Sequence, residues 1–499
     1  MQLLPVILFA LAVAACAPAR LERISERPRR AAASTSNDLH RAFDGASDPA
    51  ATRALGRWLE SAPGSESAID GYLIRFHPGG VGIFPRNYFD KLEPASRYEV
   101  TGLNHHRVEG IGVPLIGHRE NRHLQPVEKW YPPEGITRTV TAVAVPGPVK
   151  NGQRSVEIRL YDRLKTQTAT IAGKPHALAG DFTVPWAALL ENARPLARSG
   201  ITAVLRKQSS REPGFALVEE YDPRRTPLIC IHGLFSTPLA WAELTNELWA
   251  DPAVRKRYQI WHYLYPTNAP ALYSARVMRG QLDELRKFLD PGGDDPAMQR
   301  SVVIAHSNGG LLAKSLAVDP REAFWDAVFT RPLSSLDVTR QERRTLDEAF
   351  YWKPRTHVDR IIFCSVPFRG SNWANSWLGR FGQRLAAQDD RFQDFFRGIE
   401  KKNPGMLQPD YQQLTRGKIT SIGALSPKQR SMEIFDALPL VRGTAGHVIS
   451  GSRDLFVAPS SSSLPGAESS LEVPAGHGSF HHPQAIAEIK RILALPPAK

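Results

Sequence analysis

The stretch SVVIAHSNGGLLAK, residues 301–314, constrains the fold of this chain more than any other. Ser301 to Ile304 is a β-branched run that predicts a short buried strand, and Gly309 and Gly310 open a helical segment just beyond it. Between them, Ala305-His306-Ser307-Asn308-Gly309 has the small-x-Ser-x-small spacing of a strand that turns sharply into a helix. Such a turn strains the serine backbone and leaves its side chain clear of the sheet. Ala305 and Gly309 are small because the incoming strand and the outgoing helix approach too closely for a large Cβ substituent. Ser307 is therefore the candidate nucleophile.

Upstream, the apolar run Leu228 to Ile231 directly precedes His232-Gly233-Leu234. This reads as a buried strand ending in a tight loop whose backbone N–H groups can face a developing oxyanion. Downstream, Ile361 to Val366 reads as another buried strand, running into a loop with Pro367, Arg369 and Gly370. His447 to Ser450 predicts a further strand, followed through the turn Gly451-Ser452-Arg453 by an exposed Asp454. Rival carboxylates fit less well: Glu433 and Asp436 precede that strand, and Glu468 belongs to a loop before the apolar run Leu471 to Val473. His477 lies between Gly476 and Gly478, which free its loop to reach over the sheet edge, whereas His481 and His482 precede Pro483 at the start of a last helix.

The order Ser, Asp, His is the one α/β-hydrolases use. Residues 227–493 resemble an α/β-hydrolase of the lipase and esterase type, in the HG-x loop, the turn at Ser307, the strand ending VPFRGS, and the terminal Asp454 and His477. The layout is also similar to a group of little-characterised bacterial lipoproteins of that fold, to which DFTVPWAALL, EYDPRRTPLICIHGL and RYQIWHYLYPTNAP would belong. Two departures stand out: Ala305 replaces the commoner first glycine and Asn308 a frequent methionine, and neither removes a catalytic group. The resemblance implies an α/β fold with a mostly parallel central sheet flanked by helices, an amino-terminal extension and a helical cap insertion.

It also implies roles. Ser307 Oγ attacks an acyl carbonyl, His477 takes the proton and later delivers it to the leaving group, and Asp454 orients the imidazole. Backbone N–H groups of Leu234 and Asn308 stabilise the oxyanion, each worth about 3–4 kcal/mol. His232 is expected to support the oxyanion loop, and His306 and His447 to be structural. No metal or organic cofactor is required. The expected activity is hydrolysis of carboxylic esters with apolar acyl groups. An amidase, thioesterase or acyltransferase would use the same triad, and a catalytically silent envelope scaffold or lipid-binding module is the alternative from another class.

Apart from that region, the amino terminus carries the strongest signal. Leu3 to Ala15 is an apolar run of signal-peptide length ending in Val13-Ala14-Ala15-Cys16, although Met1-Gln2 brings no Lys or Arg before it. The tetrapeptide resembles a bacterial lipobox, which implies cleavage before Cys16 and lipid attachment there, and Ala17 favours the outer membrane facing the periplasm. The formal charge of +13 arises from arginines spread along the chain and suits an anionic membrane surface. Zinc-finger spacing, an RNP motif and a basic helix with interleaved aromatics are all missing, so nucleic-acid binding is not expected.

At 499 residues and 42% apolar, the chain has ample material for a core. It divides on paper into a signal peptide (1–15), a flexible tether (16–40), a mixed α/β extension (41–222) and a catalytic domain (223–499). Strands are expected at Thr139 to Val145 and Ser155 to Tyr161, either as the first two of the catalytic sheet or in a separate domain. His105, His106, His118 and His123 show no HxH or HExxH geometry and read as polar loop histidines. Cys230 and Cys364 are expected as core thiols on strands separated by the nucleophile strand, beyond disulfide reach. The segment at about 371–443, bearing Trp373, Trp377, Leu378, Phe381, Phe392, Phe395 and Phe396, is either a cap over the site or a helical elaboration with its own small core.

Overall fold

A computed structural model describes residues 24–26, 35–61, 66–193, 212–267, 269–371, 390–414 and 429–498. The signal-peptide and Cys16 readings, and the cap residues Trp373, Trp377, Leu378 and Phe381, lie outside these. No helix among the described residues is long and apolar enough to cross a membrane. The chain forms two compact units, the smaller within residues 20–194 with 245–256 and the larger carrying the carboxyl-terminal remainder.

The larger unit is built on seven strands: β1 (Gly214–Leu217), β2 (Thr226–Ile231), β3 (Tyr258–Leu264), β4 (Ser301–His306), β5 (Val358–Cys364), β6 (Ala445–Gly451) and β7 (Ser469–Val473). Their spatial order is β1-β3-β2-β4-β5-β6-β7. Only the edge pair β1–β3 is antiparallel. Every residue of β4, β5 and β6 is buried, which is what near-continuous apolar runs give when helices cover both faces of a parallel sheet. The ladder registers Ile231 with Ala305 and His306 with Cys364, so the carboxyl ends of β2, β4 and β5 finish level. Loops leaving that edge are brought side by side whatever their separation in sequence.

Helices α1 (Ala271–Leu289) and α2 (Asn308–Lys314) follow β3 and β4, and α3 (Pro483–Ala494) closes the chain. In α1, Met278, Leu282 and Leu285 are buried at helical spacing. Between β5 and β6 the described part of the insertion holds helices Asp390–Lys402 and Arg430–Ala437. Cys230 and Cys364 are buried free thiols on β2 and β5, with β4 between them.

The structure decides one point the sequence left open and moves one boundary. The strands around residues 139–145 and 155–161 are longer than expected, Ile136–Lys150 and Gln153–Asp162, and pair with each other in a second seven-stranded sheet that belongs to the smaller unit. They are not the opening strands of the larger unit's sheet. That sheet instead starts at Gly214, ahead of the boundary at residue 223, because β1 zips onto β3 as a four-residue edge strand too short to leave a periodic signature.

Within the smaller unit, helices Ser36–Phe43 and Pro49–Ser61 pack Phe43, Leu55 and Leu59 onto this sheet through Ile74, Leu115 and Ile158. His105 and His106 bond Asp181 and Glu247 at 2.9 Å each, and His118 faces Glu93 at 3.4 Å.

Candidate functional site

Ser307 sits between β4 and α2 at φ 52° and ψ −129°. That conformation costs a non-glycine residue about 1–3 kcal/mol and persists only where packing imposes it. The packing is visible in the glycines: a Cβ on Gly309 would run into the carbonyl oxygens of His232 and Ile231, and one on Gly310 into Val366. On Gly233 it would meet His306 Nδ1 and Ser307 Cβ, each at 2.9 Å. The small residues of both motifs are thus the price of bringing two strand ends into contact.

The structure joins three of the residues expected from sequence. The Ser307 hydroxyl donates to His477 Nε2 at 2.9 Å, and His477 Nδ1–H donates to Asp454 Oδ2 at 2.8 Å. A carboxylate only accepts, so it fixes the imidazole proton on Nδ1 and leaves Nε2 free to take one. The other oxygen, Asp454 Oδ1, accepts the N–H groups of Phe456 at 2.8 Å and Val457 at 2.9 Å. Asp454 is not exposed as expected: its side chain is 1% accessible, because the loop folds back on it and Phe456 packs edge-on to the His477 ring at 5.4 Å. Gly451 has no room for a side chain, its would-be Cβ striking the Gly476 carbonyl oxygen, which lets the loops carrying Asp454 and His477 touch.

The rivals point elsewhere. Asp436 pairs with Arg369 at 3.1 Å, Glu468 lies 3.7 Å from His447, and Glu433 lies in the helix Arg430–Ala437. His481 bonds Glu243 at 2.9 Å, and His482 accepts the Gln484 N–H at 3.3 Å as the cap of α3.

Leu234 follows Gly233 at the end of the β2 loop and is buried, and Asn308 is the first residue of α2. His232 supports that loop, its Nδ1–H donating to the Gly233 carbonyl at 2.9 Å. His306, expected to be structural, packs against His477. Its Nε2–H donates to the His477 carbonyl at 2.9 Å and its ring lies 4.7 Å from the His477 ring, so it braces His477 directly. Sequence gives no hint of this, since the contact spans 171 positions.

Burial sets the charge of these rings. It pushes His232 down to about 4 and His262 to about 3, and holds His306 well below the usual range, aided by the neighbouring His477. Each is neutral in the fold and ordinary, near 6.5, in the unfolded chain. A depressed histidine therefore stabilises fully above pH 6.5, and its contribution is lost as pH falls toward 4 and below. Between pH 7 and 5 His232 and His262 should each cost about 2 kcal/mol, with His306 acting in the same direction, a window in which most carboxylates do not yet titrate. Denaturant midpoints measured at pH 7 and pH 5 should fall steeply; a flat profile over that interval would contradict the assignment.

Comparison with known proteins gives the family of the chain. A sequence profile described as the alpha/beta hydrolase family matches residues 228–489. Among solved structures, the chain is similar to a lipase of Bacillus licheniformis in mature form (14% identity, 56% of this chain and 96% of that one, TM-score 0.32). Others are a hydrolase of Pseudomonas aeruginosa (15%, 57% and 94%, 0.31) and an enol-lactonase of Burkholderia xenovorans (16%, 56% and 95%, 0.29). No curated protein matches the chain. The family profile runs through more than half of the chain, from β2 into α3, and on that ground the protein belongs to the alpha/beta hydrolase family.

Proposed function

We propose that this hydrolase cleaves carboxylic esters with apolar acyl groups through a Ser307 acyl-enzyme. The observation that supports the reading is the chain of two hydrogen bonds from Ser307 through His477 to Asp454, set on a strained turn. Ser307 Oγ adds to the ester carbonyl as its proton passes to His477 Nε2, and Asp454 stabilises the imidazolium. The oxyanion accepts the N–H groups of Leu234 and Asn308. Collapse expels the alcohol, protonated by His477, and water then adds by the same route to release the acid.

An apolar cavity of about 90 Å³ favours hydrocarbon over polar acyl groups. Leu311, one turn along α2 from Ser307, lines it with Leu272, Leu346, Phe350, Phe396 and Phe435. A pocket walled in this way gives water few partners and suits a hydrocarbon. A p-nitrophenyl ester panel of graded chain length, run beside amide and thioester analogues, tests the reading. Turnover should be greatest on esters and rise from acetate to medium chains; preference for amides or thioesters would transfer the assignment.

Asp454→Asn should fold normally yet lose about 10⁴-fold in turnover, because the isosteric amide favours the wrong imidazole tautomer. Asp436→Asn and Glu468→Gln should remain close to wild type, and the reverse pattern would move the acid role.

We further propose that Cys16 carries lipid and holds the enzyme on the outer membrane facing the periplasm, a placement that suits the charge of +13. Cys16→Ser should shift the protein from the detergent to the aqueous phase or leave it unprocessed. Mass spectrometry finding an unmodified mature amino terminus elsewhere would exclude the anchor.

A further inference from the structure

We propose that Tyr265 is a positioning residue that sets the spacing between the two halves of the oxyanion site. This rests on the serine-esterase reading and sharpens it. The donors expected at Leu234 and Asn308 leave from β2 and β4, and the last ladder pair between those strands is Ile231 with Ala305. Beyond that pair the two loops have no shared backbone ladder to hold their distance.

Tyr265, just past the end of β3, bridges the gap. It is buried, and its hydroxyl donates to the His232 carbonyl at 3.0 Å while accepting from Asn308 Nδ2 at 3.1 Å. One phenol therefore links the backbone two residues before Leu234 to the side chain of Asn308 itself. A second set of contacts fixes the phenol. Its ring stacks on His232 at 4.6 Å and 15°, and its N–H donates to His232 Nε2 at 3.4 Å. That last bond needs His232 neutral at Nε2, which agrees with its Nδ1–H being committed to Gly233.

The consequence is kinetic. Oxyanion donors act only when they lie about 2.7–3.1 Å from the oxygen's position in the transition state, and an error near 1 Å costs about a hundredfold. Loosening the bridge should therefore weaken the transition state while leaving ground-state ester binding alone.

Tyr265→Phe keeps the ring stack and removes the bridge. On a short ester, kcat should fall about tenfold to a hundredfold, with KM within about twofold. Affinity for an alkyl boronic acid, whose adduct on the serine mimics the tetrahedral state, should fall by a similar factor. Asn308→Leu removes the other end of the bridge and serves if Tyr265→Phe folds poorly. It should lower kcat comparably, and the double variant should be no worse than the poorer single one. Wild-type kcat and boronate affinity in either folded variant, with only a lower melting temperature, would reduce Tyr265 to packing. Failure of the esterase reading itself would be seen separately, as full turnover by folded Ser307→Ala.

Discussion

Replacing Ser307 with alanine is expected to remove about a million-fold of ester turnover and all labelling by a fluorophosphonate, while the protein stays folded. The fold should tolerate the change because the turn is imposed by its neighbours. Gly309 and Gly310 pack against β2 and Val366, the Ser307 N–H donates to the Cys364 carbonyl at 2.9 Å, and none of these contacts involves Oγ. Alanine has the same backbone requirements as serine, so stability should shift little. Circular dichroism and a melting curve establish folding, and an ester assay on the same sample reads activity. Hydrolysis at the wild-type rate by that folded variant would falsify the site.

Loss of comparable size is expected for His477→Ala, since a nucleophile without its base is about as impaired as no nucleophile at all. The carboxyl-terminal loop holds three histidines within six positions, and only their partners separate them. His477 is enclosed between Ser307 and Asp454, whereas His481 reaches Glu243 and His482 caps α3. His481→Ala and His482→Ala should therefore keep most activity and lose at most some stability at the last helix. An inactive His481→Ala beside an active His477→Ala would reassign the base. His306→Gln should sit between these extremes, because His306 holds the His477 carbonyl and carries no proton in the reaction.

Residues 301–314 determine their own conformation, because a β-branched run followed by small residues around one serine can turn in few ways. The apolar runs at Leu228 to Ile231, Ser301 to Ile304 and Ile361 to Val366 are similarly self-revealing, since parallel strands covered on both faces need unbroken apolar sequence. Even there the last of these ends early. Ser365 takes φ 49° and stops β5 at Cys364, a backbone choice invisible in composition. Asp454 and His477 could be nominated from sequence because each follows a strand at the same edge of the sheet.

Other features belong to the tertiary structure alone. The burial of Asp454, the bracing of His477 by His306, and the Tyr265 bridge each join segments from different strands. Local preference is silent about such pairs, because their proximity is fixed by strand order and register rather than by spacing along the chain. The same holds for the strands Ile136–Lys150 and Gln153–Asp162, whose alternation announced strands and left their sheet undecided. A strand's sequence states which faces need covering; which neighbour covers them is settled only when the whole chain has competed for the same edges.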